Sequence, residues 1–171
     1  MTPYDVSLLN VYLKPGELHI TDRPTIISTV LGSCVSVIMF SDRQQLAGMC
    51  HAMLPFKGGT NGKNNTESFR YVDSSITYMI KRFESHGIGR NEIKVKLFGG
   101  ADILYYIEDD KERHTVGKKN ITKAFEVINN EKLSLLMSDV GGTSGRKIFF
   151  FTHTGEILLK RLCRKTQRSF K

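Results

Sequence analysis

Two apolar, β-branched runs, Thr25-Ile-Ile-Ser-Thr-Val-Leu31 and Val35-Ser-Val-Ile-Met-Phe40, are separated only by Gly32-Ser33-Cys34. A third run, Leu46-Ala-Gly-Met-Cys-His-Ala-Met-Leu54, answers them after the short polar connection Ser41-Asp-Arg-Gln-Gln45. Runs of this length and composition are strands, and the short connection pairs the second with the third as a hairpin. Alternation then puts Ala47, Met49, His51 and Met53 on one face and Leu46, Gly48, Cys50, Ala52 and Leu54 on the other. A slip of one residue would exchange those faces, so the pattern ties the whole segment to one register.

Cys34 stands at the mouth of the Gly-Ser turn, where backbone N–H groups are free and the sulfur can be presented rather than packed. The hairpin can bring His51 beside it, and a thiol with an imidazole is the minimal pair for thiol hydrolysis. Taken singly, each residue has a plainer role. A cysteine in an apolar run is ordinarily a small buried hydrophobe, and a histidine on a strand is ordinarily a satisfied structural residue.

The 171 residues suit a single domain, 1–171, with enough core to need neither disulfide nor metal. Cys34, Cys50 and Cys163 are an odd number without framework spacing, so reduced thiols are expected. Zinc is a poor fit: strand neighbours 50 and 51 point to opposite faces and no second ligand pair lies at chelating distance. No cofactor is expected. No apolar run is long enough to span a membrane and the first residues lack the order of a secretion signal, so a cytoplasmic location is expected, with no membrane insertion. The net charge of +8 is concentrated partly in the tail 160–171, which reads as a frayed basic terminus. No nucleic-acid-binding motif accompanies the charge, and no nucleic-acid partner is expected.

Around this centre, the residues from Tyr4 to His19 read as a strand or single helical turn followed by a Lys-Pro-Gly turn, with Glu17 to Ile20 as a further strand. Residues 56–66, rich in glycine and asparagine, read as a loop that serves as a lid, a docking edge or plain surface. Apolar positions 69, 72, 76, 79, 80 and 83 predict a helix from Phe69 to Ser85, stopped at Gly87, with His86 as a cap or surface residue. Ile93 to Phe98 predicts a strand that ends at Gly99-Gly100, a sign of close backbone approach beside the site. After a charged connection over 107–114, a helix is predicted over Ile121 to Glu131 and a strand over Leu133 to Met137. Asp139-Val-Gly-Gly-Thr-Ser-Gly-Arg146 is a glycine turn without the ending of a phosphate loop, and Lys147 to Lys160 reads as a hairpin turning at Thr154-Gly155, with His153 as surface structure. The mixture of strands and helices argues for an α/β domain built on a mixed sheet.

The words Leu31-Gly-Ser-Cys-Val-Ser-Val37 and Gly48-Met-Cys-His-Ala-Met-Leu-Pro55 resemble CheD, the chemoreceptor glutamine deamidase family of bacterial and archaeal chemotaxis. The resemblance continues through Arg70-Tyr-Val-Asp73, Lys96-Leu-Phe-Gly-Gly-Ala101, Gly117-Lys-Lys-Asn120 and Asp139 to Arg146, and so covers nearly the whole chain in order. It implies a mixed β-sheet sandwich core flanked by helices, a CheD-like cysteine hydrolase fold related in its active site to the cytotoxic necrotizing factor toxins. It implies Cys34 as nucleophile, His51 as base, and a hydroxyl residue upstream of the cysteine, often six positions before it, as third member. Gap-free counting gives Ser28, with Thr29 one residue closer and on the opposite strand face. The implied substrate is the cytoplasmic helices of chemoreceptors and the implied partner a CheC-type phosphatase. The rival reading is a non-catalytic CheD-like adaptor that docks on receptor or CheC.

Overall fold

In the computed structural model, residues 8–57, 69–103 and 115–162 are described. All but the first two residues of the predicted loop over 56–66, the connection over 107–114, Tyr4 and Asp5, and the last nine residues, Cys163 among them, lie outside them.

Among the described residues, nine strands form two mixed sheets. β1 (Leu9–Tyr12), β3 (Thr25–Leu31), β8 (Gly145–Phe151) and β9 (Ile157–Leu162) make a four-stranded sheet in the order β1-β3-β8-β9. β2 (Leu18–Thr21), β5 (Leu46–Cys50), β4 (Val35–Ser41), β6 (Lys94–Gly99) and β7 (Ser134–Val140) make a five-stranded sheet in the order β2-β5-β4-β6-β7. The chain therefore changes sheet between Leu31 and Val35, across the Gly32-Ser33-Cys34 turn. The hairpin expected between the second and third apolar runs is β4 with β5, antiparallel, with Ile38 opposite Met49 and Phe40 opposite Ala47.

Two cores explain why β4 and β5 are buried along their whole length. On one face, Ile38, Phe40, Ala47 and Met49 meet Ile27 and Leu31 of β3 and Ile148 and Phe150 of β8. On the other, Val35, Val37, Met39, Leu46, Cys50 and Ala52 meet two helices, α1 (Val72–Ser85) and α2 (Val116–Asn130). A strand covered on both sides has no solvent face to mark with polar residues, which is why Val35 to Phe40 reads as a near-continuous apolar run. The layers are thus four-stranded sheet, five-stranded sheet, helices, the α/β class with a sandwich core that the sequence implies, with both helices on a single side.

α1 begins three residues later than the apolar spacing alone suggests and buries Val72, Ile76, Met79, Ile80 and Phe83, a stripe of 3.6-residue period. It stops at His86, followed by Gly87 at φ +73°, and the His86 ring nitrogen Nδ1 lies 2.7 Å from the Arg82 carbonyl. α2 begins five residues earlier than Ile121. Its N-cap is Thr115, whose hydroxyl accepts from the Lys118 N–H, and its inner stripe is Gly117, Asn120, Ala124 and Ile128. The first two members of that stripe are not hydrophobic, so apolar periodicity could not reveal the first turn. β9 runs to Leu162, so Lys160 and Arg161 belong to a paired strand rather than to a frayed tail.

Candidate active site

His51 follows β5 directly, and its peptide is held on one side by the turn before β2: its N–H donates to the Glu17 carbonyl at 2.9 Å and its carbonyl accepts from Gly16 N–H at 2.8 Å. One residue on, Ala52 exchanges both backbone hydrogen bonds with Val35 at 2.9 Å, which prolongs the β4–β5 register past the end of the strand. Continuing that register puts His51 opposite Ser36 and makes Cys34 its diagonal neighbour on the same face, positions that stand about 7 Å apart at Cβ as a rule. That face looks toward the four-stranded sheet, where Cys34 packs beside the inter-sheet core and His51 is buried.

Across the gap, Thr29 shares the inner face of β3 with Ile27 and Leu31, while Ser28 lies on the outer face with Ile26 and Val30. The Thr29 hydroxyl donates to the Leu13 carbonyl at 2.7 Å and lies 2.7 Å from His51 Nδ1. A hydroxyl has one proton, and here the carbonyl takes it, so the contact with the ring must be Nδ1–H donating to Oγ1. The imidazole is thereby fixed as the Nδ1–H tautomer, and Nε2 carries the free lone pair. Nε2 is buried and has no hydrogen-bond partner among the described residues, as is true of Ser36 Oγ opposite it. Sequence counting leaves Ser28 and Thr29 open; the geometry brings only Thr29 to His51.

Burial holds both partners neutral. It lowers the His51 pKa below the ordinary histidine value, against smaller upward pulls from the Leu13 carbonyl and Glu17. Burial likewise raises the Cys34 thiol, partly offset by its own backbone N–H. Both shifts favour the neutral forms, the thiol of Cys34 and the unprotonated imidazole of His51. Cys50, on the helix-facing side, is wholly buried and its thiol is pushed up to about 11, which makes it a packing residue.

The Cys34 turn is gripped from three directions. The Gly32 carbonyl accepts from Ala101 N–H and the Cys34 carbonyl from Gly100 N–H, both at 2.8 Å. The Ser33 carbonyl accepts from Asn120 Nδ2 at 3.0 Å. The close approach expected at Gly99-Gly100 is present: Gly99 sits at φ +108°, and a Cβ there would collide with the Cys34 carbonyl oxygen. On α2, a Cβ at Gly117 would stand 2.6 Å from the Gly100 carbonyl oxygen, so glycine lets the helix approach near enough for Asn120 to reach the turn.

Two residues that the site depends on carry no hydrophobic signal. Asn120 is wholly buried and also donates to the Met53 carbonyl at 2.9 Å, bridging the cysteine turn to the segment after His51. Arg146, 1% exposed, donates to Asp139 Oδ1 at 2.6 Å, to the Gly141 carbonyl at 2.7 Å and to the Gly99 carbonyl at 3.2 Å, backing the glycine turn from behind. Both fall in the sequence blocks Gly117 to Asn120 and Asp139 to Arg146. Among the described residues, no three His, Cys, Asp or Glu side chains gather to hold a metal ion, and no helix is long and apolar enough to cross a membrane.

Comparison with known proteins adds a family. Residues 53–161 match the family model described as CheD chemotactic sensory transduction. A Geobacter sulfurreducens protein named probable chemoreceptor glutamine deamidase CheD 2 is 49% identical over 164 residues, 96% of this chain and 97% of that protein. Proteins named probable chemoreceptor glutamine deamidase CheD from Maridesulfovibrio salexigens and Oleidesulfovibrio alaskensis are 38% and 45% identical, over 89% and 92% of this chain and 91% and 75% of their own lengths. The family-model match starts after His51, whereas the 164-residue alignment also takes in Thr29, Cys34 and His51.

Proposed function

This chain belongs to the CheD family, and we propose that it is a protein-glutamine deamidase that converts selected chemoreceptor glutamines to glutamate, with Cys34 as nucleophile, His51 as base and acid, and Thr29 as the residue that orients the imidazole. The names of its relatives support the substrate and the reaction. The observation that carries the residue roles is the chain from the Leu13 carbonyl through the Thr29 hydroxyl to His51 Nδ1, which leaves Nε2 as the base on the face that Cys34 shares.

In the first half-reaction His51 Nε2 takes the thiol proton as Cys34 Sγ bonds to the side-chain amide carbon, and the carbonyl π pair moves onto oxygen. The oxyanion is met by backbone N–H groups of the Ser33-Cys34 turn. When the C=O re-forms, the C–N bond breaks, and the nitrogen leaves as ammonia with the proton from Nε2. In the second half-reaction Nε2 takes a proton from water, the hydroxide adds to the thioester carbon, and Cys34 departs as the thiol on regaining that proton. The product is a carboxylic acid that ionises to glutamate. A neutral site on a receptor helix becomes an anion, which shifts interhelical electrostatics without altering the backbone.

A substrate on chemoreceptor cytoplasmic helices implies a cytoplasmic location as part of the same proposal, and a CheC-type phosphatase is the proposed partner on the strength of the family resemblance. The test is ammonia release from a purified chemoreceptor cytoplasmic fragment. The deamidase reading expects ammonia in proportion to added protein. Binding of the fragment with no ammonia released would instead make this chain a docking adaptor.

A further inference from the structure

Of the three consecutive carbonyls around the nucleophile, those of Gly32 and Cys34 are held by backbone N–H groups of Ala101 and Gly100. The Ser33 carbonyl alone is held by a side chain, the carboxamide of Asn120. A peptide unit is planar, and this chain contains no cis peptide among the described residues, so the Ser33 carbonyl and the Cys34 N–H point in opposite directions from one rigid plate. Fixing the carbonyl toward α2 therefore fixes the N–H away from it. Among the described residues that N–H has no acceptor other than its own sulfur, the position from which it can meet charge developing beside the attacked carbon.

We propose that Asn120 is a positioning residue for the oxyanion site: by anchoring the Ser33 carbonyl, it aims the Cys34 N–H at the oxygen of the substrate amide. This rests on the deamidase reading. The carboxamide suits the task for a definite reason. Two carbonyls, of Ser33 and Met53, need two donors from one small wholly buried group, and the two hydrogens on Nδ2 supply both at 3.0 and 2.9 Å. A carboxylate has none and a hydroxyl has one. Asn120 Oδ1 is left buried with no partner among the described residues, so a polar atom is kept dry at this point in order to keep the donor pair. The second bond fixes the same group to the segment that follows His51, so the plate and the base share one reference point.

The experiment uses the full chain with Asn120→Ala and Asn120→Ser, a chemoreceptor fragment as substrate, and iodoacetamide as a second probe. Alkylation displaces iodide at a saturated carbon and develops no oxyanion, so it reads thiol reactivity and access alone, followed at Cys34 by peptide mass mapping. The expected result for Asn120→Ala is a fall in kcat on the order of 10²-fold with KM within about threefold of wild type, and a Cys34 alkylation rate within about twofold. Asn120→Ser, which retains one donor, is expected to lie between. Unchanged kcat in either folded variant overturns the proposal. So does an alkylation rate that falls in parallel with kcat, or failure of both variants to fold, since either makes Asn120 a structural clamp. A wild type that releases no ammonia defeats the deamidase reading itself, a result distinct from any difference among variants.

Discussion

On the helix-facing side of the five-stranded sheet, Val35, Val37, Met39 and Ala52 pack on α1 and α2, and the thiol among them, Cys50, is sealed and held protonated by burial. One residue out of step along the same hairpin, Cys34, Ser36 and His51 look toward the four-stranded sheet, where His51 meets Thr29. Both sides begin from one hairpin and each holds a cysteine. On the helix-facing side the thiol is satisfied, accepting from Val37 N–H at 3.5 Å. Each side keeps two buried polar atoms without partners among the described residues: Ser41 Oγ and Asn120 Oδ1 toward the helices, His51 Nε2 and Ser36 Oγ toward the four-stranded sheet. Each such atom forgoes roughly 1–3 kcal/mol. Stability alone would remove those atoms, whereas the role proposed for His51 as base requires at least the imidazole nitrogen.

The largest effect that separates the two sides is expected at the thiols. Cys34→Ser should lower ammonia release from a receptor fragment by at least about 10⁴-fold while the melting temperature stays near that of wild type, and Cys50→Ala should keep turnover. Equal activity in both variants would erase the distinction. Next comes the support behind the turn. Arg146→Met removes a buried guanidinium from Asp139 and two glycine carbonyls, and is expected to cost about 3 kcal/mol in urea unfolding. A loss below about 1 kcal/mol would mean that the Gly99-Gly100 turn stands without it.

The third effect sharpens the reading of β3. Thr29→Ala should lower kcat/KM by roughly 10²-fold, because the tautomer is no longer fixed, and Ser28→Ala should change it by less than about twofold. Similar losses in the two variants would contradict the role given to Thr29. The smallest effect is one of rate against pH. Because burial raises the Cys34 pKa, less thiolate is present at pH 7.5 than for free cysteine, so Cys34 should alkylate more slowly than free cysteine there and its rate should still climb above pH 9. A plateau below pH 8 would mean a thiolate–imidazolium pair in the free protein. Cys50 should stay unmodified until the chain unfolds.

The sequence made some of this architecture readable and hid the rest for physical reasons. β3, β4 and β5 follow from β-branched runs with short connections, and Cys34 with His51 follows from the alternation of the hairpin, since a strand period of two leaves little freedom. The Gly99-Gly100 turn was legible as a close approach because only glycine tolerates its dihedral angles. The choice between Ser28 and Thr29 was not legible, because counting back from Cys34 cannot say which face of β3 turns inward until Ile27, Leu31 and their partners on β8 are seen to fill the gap between the sheets. The first turn of α2 was hidden because its inner positions are Gly117 and Asn120 rather than apolar residues. Arg146 was hidden because a charged side chain is expected at the surface unless its partners, here Asp139 and the Gly99 and Gly141 carbonyls, are known. Both concealed residues lie in blocks that the family resemblance marks without explaining.

The most direct test is the intact mass of a chemoreceptor cytoplasmic fragment after incubation with the wild-type protein and, separately, with Cys34→Ala. Hydrolysis of a primary amide to an acid adds ~1 Da per site, a value fixed by the exchange of NH₂ for OH in the reaction. The account predicts that gain with the wild type, at discrete glutamines on peptide mapping, and none with Cys34→Ala. A gain of the same size with Cys34→Ala, or no gain with either protein, would contradict it.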